Sequence, residues 1–129
     1  MNRKFQGRYL HKVDEKGRLI IPRSFRDLLG MEFTVIKDVD FNCLTIHTIS
    51  EMDKIDNEFD NKSRFDKGAR ETQREFYSNS YDCTIDKQGR VMIPGWLYEM
   101  AGINKEVWVL GVRNSIEIWD KEKYENKNR

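Results

Sequence analysis

The hydrophobic and polar positions of this chain repeat with an offset of 72 residues. Residues 9–47 align without a gap with residues 81–119, and apolar residues replace apolar ones at positions such as Val13/Ile85 and Leu44/Ile116. An internal repeat of this kind predicts that both copies adopt one fold. The identical pairs are Tyr9/Tyr81, Asp14/Asp86, Gly17/Gly89, Arg18/Arg90, Ile21/Ile93, Pro22/Pro94, Gly30/Gly102, Val35/Val107, Asn42/Asn114 and Ile46/Ile118.

The densest part of each copy is a polar turn followed by an apolar run. It consists of DEKGRLIIP at residues 14–22 and DKQGRVMIP at residues 86–94. Asp accepts hydrogen bonds from nearby backbone amides and Gly adopts positive φ at no steric cost, so each string begins with a predicted turn. The apolar residues that follow are bulky or β-branched and too few for a helix. They predict a short buried strand in each copy.

A short helix is predicted after each of these strands. Proline suits the first helical position and glycine suits the end of a helix, which sets bounds near Pro22 and Gly30 and near Pro94 and Gly102. Apolar residues spaced i, i+3 and i+4 along each helix form one face, which we expect to point into the core. These residues are Phe25, Leu28 and Leu29 in the first copy and Leu97, Met100 and Ala101 in the second.

Two further strands are predicted in each copy, at residues 33–36 and 44–47 and at residues 107–112 and 116–119. Each copy is therefore strand, turn, strand, short helix, strand, turn, strand. A unit of about 40 residues cannot bury enough apolar surface to be stable alone. We therefore expect an α+β fold, mainly β, in which the two copies interlock into one barrel.

The chain is divided as a single duplicated domain: repeat one at 5–49, a helical connector at 50–79, repeat two at 80–120 and a C-terminal tail at 121–129. The connector predicts two amphipathic helices, with Ser50 and Ser63 as N-caps. These helices either cover the barrel or contact a neighbouring subunit. The tail is expected to be a short helix or a frayed end.

Composition predicts a cytoplasmic protein without a cofactor. No window approaches the roughly 18 consecutive apolar residues of a membrane span, and the first residues lack the apolar region of a signal peptide. Cys43 and Cys83 form no CxxC motif, which in a cytosolic protein indicates reduced thiols. Cys43 and His47 would lie about 13 Å apart on a strand, too far to share a metal ion. No catalytic group, metal site or small-molecule substrate is predicted.

Charge is segregated along the chain although the formal net charge is only +1. Residues 1–30 contain eight Lys and Arg against three Asp and Glu, and residues 31–62 contain three against eight. Typical DNA-binding domains have a pI above about 9, whereas the pI here is about 7.7. Segregation favours a basic surface for phosphates, which an oligomer would multiply by setting several such surfaces side by side.

The chain resembles the MraZ family of AbrB-like transcription factors. The family's DxxGR turn, running into an apolar strand and Pro, occurs twice, from Asp14 to Pro22 and from Asp86 to Pro94, and residues 5–9 and 116–121 are also similar to the family. The resemblance implies a double-split, swapped-hairpin-like β-barrel. It further implies a nucleoid-associated homo-oligomeric ring, an octamer or dodecamer, that binds short direct repeats in double-stranded DNA upstream of its own division and cell-wall genes.

The first turn is the main candidate for contacting DNA, because a tight loop projects Lys16 and Arg18 beyond the sheet. Arg offers a planar fork for guanine or phosphate, but Arg18 could equally pair with Asp14 and hold the loop, and both roles are compatible. Other candidates are Arg8 and Lys12, which could be ordinary solvated surface, and Arg3 and Lys4, for which backbone contacts are expected. Possible second-repeat contacts are Lys87 and Arg90; Asp14, Gly17, Asp86 and Gly89 are expected to be turn-structural.

The second copy has fewer basic residues than the first, which suggests a division of labour. Lys12, Lys16, Arg23 and Arg26 correspond to Thr84, Gln88, Gly95 and Tyr98. The hypothesis is that copy one contacts DNA while copy two is chiefly scaffold and oligomer contact. The alternative function is an AbrB-like, antitoxin-like protein-interaction module. An enzyme is disfavoured because Asp14 and Asp86, the candidate acid and base, are each expected to accept hydrogen bonds from the backbone of their own turn.

Overall fold

A computed structural model of the chain describes residues 4–127. Within this range the chain forms eight strands and five helices. The first repeat contains β1 (Phe5–Lys12), β2 (Arg18–Ile20), α1 (Arg23–Leu29), β3 (Glu32–Lys37) and β4 (Leu44–Thr48); the connector contains α2 (Ile49–Asp60) and α3 (Lys67–Ser78); the remainder contains β5 (Ser80–Thr84), β6 (Arg90–Met92), α4 (Gly95–Met100), β7 (Glu106–Arg113), β8 (Ser115–Asp120) and α5 (Lys121–Lys127).

The strands form two antiparallel sheets that both draw on the two copies. The larger sheet has the order β1-β7-β8-β4-β3-β5, and β2 pairs with β6 in a separate ribbon. The first strand of each copy thus pairs with the third strand of the other copy, β1 with β7 and β5 with β3. The α+β class, mainly β, is confirmed. Closure of the strands into a barrel stays a prediction.

A pseudo-twofold relation between the copies is visible in the strand registers. Leu19 pairs with Val91, and Thr45 pairs with Glu117. In both pairs the partners lie 72 positions apart, so each residue meets its own counterpart. A local twofold axis therefore passes through the β2–β6 ribbon and through the β4–β8 pair.

The third strands depart from the ungapped alignment by two residues. Val35 of β3 pairs with Ile46, whereas Ile118, the counterpart of Ile46, pairs with Val109 and not with Val107. A shift of two residues keeps every side chain on its own face of the sheet, because side chains alternate with a period of two. Val107 and Val109 are accordingly both fully buried. An alignment of letters could not detect this shift.

The core lies between the larger sheet, the β2–β6 ribbon and the two short helices. Leu19 and Val91 are fully buried at its centre, and the Phe25 ring of α1 meets the Phe5 ring edge-on at 5.5 Å. The predicted inner face of α4 is only partly right. Leu97 and Ala101 are buried, but Met100 is 44% exposed, because Tyr98 occupies the inner side of this one-and-a-half-turn helix.

The connector forms two helices, as expected, but with different N-caps. The Thr48 hydroxyl accepts a hydrogen bond from the Glu51 amide, and the Asp66 carboxylate accepts one from the Ala69 amide. The Ser63 hydroxyl instead bonds the Phe65 amide in the turn before α3. None of the helices within residues 4–127 combines the length with the apolar composition that a membrane-spanning helix requires.

The connector packs on the larger sheet through a group of rings. The Phe76 ring of α3 lies 5.9 Å from the Phe59 ring of α2 and 6.3 Å from the His47 ring of β4. His47 bonds the Thr45 hydroxyl through Nε2, while its buried Nδ1 has no hydrogen-bond partner among the described residues. Burial lowers the pKa of His47 below its ordinary value, although Glu51 and Asp38 act in the opposite direction. The docked connector thus favours neutral His47.

Replacing Gly111 should loosen the junction between the two copies. A Cβ atom at Gly111 would lie 2.3 Å from the Gln6 amide nitrogen and 2.6 Å from the Phe5 carbonyl carbon, so β1 would have to move away from β7. We expect Gly111→Ala to lower the free energy of unfolding by about 1–3 kcal/mol, measured by urea denaturation. Gly95→Ala is the matched control, because Gly95 has open space around it. A loss of stability no larger than that of the control would contradict this packing.

Stability should fall on mild acidification because of His47. Below pH 6.5 the unfolded chain binds a proton at this histidine before the folded chain does, so stability present above pH 6.5 is lost as the pH falls towards the lowered pKa. His11 has a pKa lowered by burial and by Arg26, so it acts in the same direction. We expect His47→Phe to reduce the dependence of the urea midpoint on pH between about 7.5 and 5.5. A pH dependence of the urea midpoint that is the same in His47→Phe as in wild type would show that protonation of His47 does not affect stability in this range.

Candidate nucleic-acid interface

The first turn is organised by one carboxylate. Asp14 Oδ1 accepts hydrogen bonds from the amides of Lys16 and Arg18, both at 2.9 Å, and Oδ2 accepts one from Arg18 Nε at 2.7 Å. Gly17 has a φ of 83°, which suits glycine. The Arg18 amide, followed by the Arg18 side chain and the Lys16 amide, lowers the pKa of Asp14. The carboxylate therefore remains ionised and holds the backbone of the turn.

The second turn repeats these contacts. Asp86 Oδ1 accepts from the amides of Gln88 and Arg90 at 2.9 and 2.8 Å, and Oδ2 accepts from Arg90 Nε at 3.0 Å. The pKa of Asp86 is lowered as well, chiefly by the Arg90 amide. Pairing of Arg18 with Asp14, left open by the sequence, is thus present and recurs in the second copy.

The pairing fixes each arginine without covering it. Only Nε meets the carboxylate, and the side chains of Arg18 and Arg90 are 29% and 27% exposed. An arginine oriented through Nε can still present its terminal nitrogens as a fork. The carboxylate thus positions the guanidinium group, and the structural and functional roles considered for Arg18 are compatible.

The β2–β6 ribbon brings the two turns onto one surface. Arg18 pairs with Met92 and Ile20 pairs with Arg90. Directly paired residues share a face of a sheet, so these four side chains lie together, opposite the buried Leu19 and Val91. Two residues along a strand and one strand spacing place the Cα atoms of Arg18 and Arg90 about 8 Å apart. We call the surface formed by Arg18, Ile20, Arg90 and Met92 the ribbon face.

The ribbon face combines two cations with two exposed apolar side chains. Ile20 is 42% exposed and Met92 is 55% exposed. Lys16 and Lys87 are also exposed, one in each turn. The major groove of B-DNA admits a two-stranded β-ribbon, arginine binds guanine O6 and N7 bidentately, and apolar side chains contact the thymine methyl group. The ribbon face has the residue types for all of these contacts.

Each turn also bonds the strand end of the other copy. The Gly89 carbonyl accepts a hydrogen bond from the Ile21 amide at 2.9 Å, and the Gly17 carbonyl accepts one from the Ile93 amide at 3.1 Å. A Cβ atom at Gly17 would lie 2.8 Å from the Ile93 carbonyl oxygen, so the turn can approach only as glycine. Neither turn is therefore built by one copy alone.

Of the remaining predicted contact residues, those that the structure describes lie on or beside β1 and not on the ribbon. Arg8 is on β1, with its guanidinium carbon 5.3 Å from the centre of the Trp108 ring, so it has a packing role of its own. Lys12 is exposed at the end of β1, where it pairs in register with Glu106. Lys4 is exposed immediately before β1, and Arg3 lies outside the described residues.

Sequence reasoning missed Ile20 and Met92, which it assigned to the buried runs. The strict alternation of a strand carries the missing signal: if Leu19 and Ile21 point inward, then Arg18 and Ile20 share the outer face. Within residues 4–127 no group of three or more His, Cys, Asp or Glu side chains is placed to hold a metal ion. Cys83 is buried, and burial followed by the charge of Asp82 raises the pKa of its thiol to about 12.

Comparison with known proteins agrees with the repeated architecture. A family model described as "MraZ protein, putative antitoxin-like" matches residues 5–75 and again residues 76–128. Similar relatives, each named "Transcriptional regulator MraZ", occur in Acetivibrio thermocellus, with 40% identity over 95% of this chain and 85% of the relative, and in Finegoldia magna, with 43% identity over 94% and 84%. One from Dictyoglomus thermophilum is 42% identical over 97% of this chain and 85% of its own length. The chain belongs to the MraZ family.

Proposed function

We propose that this protein is a DNA-binding transcriptional regulator whose ribbon face recognises base pairs in the major groove. The observation that carries this proposal is the placement of Arg18 and Arg90 on one exposed face, each oriented by its own aspartate. The names of the relatives, all transcriptional regulators, support the same class. The proposed role involves no catalysis.

Both copies take part in this proposal. The division of labour suggested by the sequence assigned DNA contact to the first copy because the second has fewer basic residues. The pairing of β2 with β6 argues for a shared surface, since Arg18 faces Met92 and Arg90 faces Ile20. We assign base contacts to these two arginines and phosphate contacts to Lys16 and Lys87.

The target that we propose is a set of short direct repeats upstream of the protein's own gene, in an operon for division and cell-wall synthesis. A homo-oligomeric ring would set several ribbon faces along one duplex, and the summed contacts would offset the nearly neutral charge of one subunit. Repeat spacing would then follow the spacing between subunits. This role places the protein in the cytoplasm, on the nucleoid.

The first test is a fluorescence anisotropy titration on the DNA upstream of this protein's own gene, beside a scrambled duplex of equal length, at about physiological salt. We expect a preference of about 100-fold or more for the upstream DNA, and affinity that falls steeply with salt as counterions are released. Equal or absent binding to the two duplexes would contradict the proposal. It would favour the alternative, a protein-interaction module.

The contributions of the two turns can be separated by substitution. We expect Arg18→Ala and Arg90→Ala each to weaken binding to the upstream DNA by about 10-fold to 100-fold, because each removes one bidentate base contact. Arg18→Lys keeps the charge but loses the fork, so it should lose preference for the upstream DNA more than affinity for the scrambled duplex. Lys62→Ala, in the exposed turn between the connector helices, is the control. If Arg90→Ala binds the upstream DNA as the wild type does, the hypothesis that only the first copy contacts DNA would be supported instead.

A further inference from the structure

The two copies differ at the position that covers the opposite turn. Tyr98 of α4 reaches the first turn, where its hydroxyl donates a hydrogen bond to the Gly17 carbonyl at 3.0 Å. Its counterpart 72 positions earlier is Arg26 of α1. Arg26 accordingly lies at the second turn, against Gly89. Because each copy covers the turn of the other, the first copy supplies a cation, Arg26, to the turn of the second copy.

The Arg26 side chain is held in place from both sides. Its Nε donates a hydrogen bond to the Ile21 carbonyl at 2.8 Å. A Cβ atom at Gly89 would lie 2.1 Å from the guanidinium carbon and 2.4 and 2.5 Å from the two terminal nitrogens, so the group lies directly over the glycine. Gly89 is buried and has a φ of 79°. The second turn needs glycine both for its backbone and for the guanidinium above it.

The terminal nitrogens of Arg26 remain available for a ligand. Within residues 4–127 no carboxylate forms an ion pair with Arg26. The side chain is half-buried and opens into a surface cleft that Lys87 and Asp86 of the second turn and Asp27 of α1 also line, and neither carboxylate lies within ion-pair distance of Arg26. A guanidinium that is oriented through Nε and not neutralised presents a fixed pair of donors, which suits a phosphate.

The contact of Arg26 with the second turn changes the comparison of basic residues between the two turns. From the alignment alone, the second copy has lost basic residues, since Lys16 becomes Gln88 and Arg26 becomes Tyr98. In the structure the first turn has Lys16 and Arg18 with Tyr98 above it. The second turn has Lys87 and Arg90 with Arg26 above it. The cation count of the second turn is therefore no lower than that of the first.

We propose that Arg26 is a phosphate-binding residue of the second turn, supplied by the first copy. The inference rests on the proposed function, because the phosphate is that of the DNA backbone beside the ribbon face. Arg26 adds affinity and orientation but no base recognition, since phosphate contacts carry no sequence information directly. The asymmetry between Arg26 and Tyr98 gives a duplex a preferred direction across an otherwise twofold surface.

The exchange of residues between the two positions tests the proposal. Arg26→Tyr places at the second turn the residue that the first turn already tolerates, and Tyr98→Arg adds a cation at the first turn. The readout is the slope of log K against log salt concentration for the upstream and the scrambled duplex. We expect the slope of Arg26→Tyr to become shallower by about 0.9 for each second turn engaged, equally on both duplexes. Tyr98→Arg should steepen it.

The control is the same exchange elsewhere: Arg70→Tyr on the exposed side of α3 should leave the slope unchanged. Thermal unfolding and oligomer size establish that each variant is folded. If Arg26→Tyr fails to fold, Arg26→Gln, which keeps an amide donor near the Ile21 carbonyl, replaces it. A folded Arg26 variant with the wild-type slope, beside an Arg90→Ala variant with the expected weaker binding, would overturn the inference. Absence of binding by the wild-type protein would instead overturn the proposed function.

Discussion

The crossing of hydrogen bonds between the two copies is the constraint on which the rest of the structure depends. The glycine of each turn accepts a bond from the strand end of the other copy, Gly89 from Ile21 and Gly17 from Ile93. The first strand of each copy completes the sheet of the other in the same way. Since neither copy can satisfy its own strand edges or bury its own apolar face, the two fold as one unit. The buried pair Leu19 and Val91 lies on the axis that relates them.

This arrangement also determines what the surface can do. The proposed function needs a rigid turn to present an arginine, and in this structure an aspartate fixes the backbone amides and the arginine Nε together. Rigidity comes from the core below, because the ribbon that carries Arg18 and Arg90 is held by Leu19 and Val91 on its other face. The duplication holds two such turns in a fixed relative orientation. Separate single-copy subunits would have to associate to reach the same arrangement.

Much of this could be predicted from the sequence, and the missing parts have physical reasons. The order of strands and short helices, the Asp-centred turns and the need for the copies to interlock all follow from local patterns. The contacts between the two copies could not be predicted in this way. An alignment shows that Arg26 and Tyr98 occupy equivalent positions, but it does not show that each lies over the turn of the other copy. The two-residue shift of β7 was invisible, since inward-facing valines occur at both 107 and 109. The N-caps were predicted at Ser50 and Ser63 and lie at Thr48 and Asp66, because several polar residues near the start of each helix could serve.

The central claim is that two arginines from the two copies contact bases as one surface. Methylation interference tests it directly, because methylating guanine N7 blocks the bidentate contact that arginine makes in the major groove. We expect methylation of two guanines per repeat to interfere with wild-type binding. The two guanines should be separated by about two to four base pairs, as the spacing of the arginines requires. Arg90→Ala should remove one of the two effects and leave the other. No interference from any guanine in the repeat, or an identical pattern for Arg90→Ala and wild type, would contradict the account.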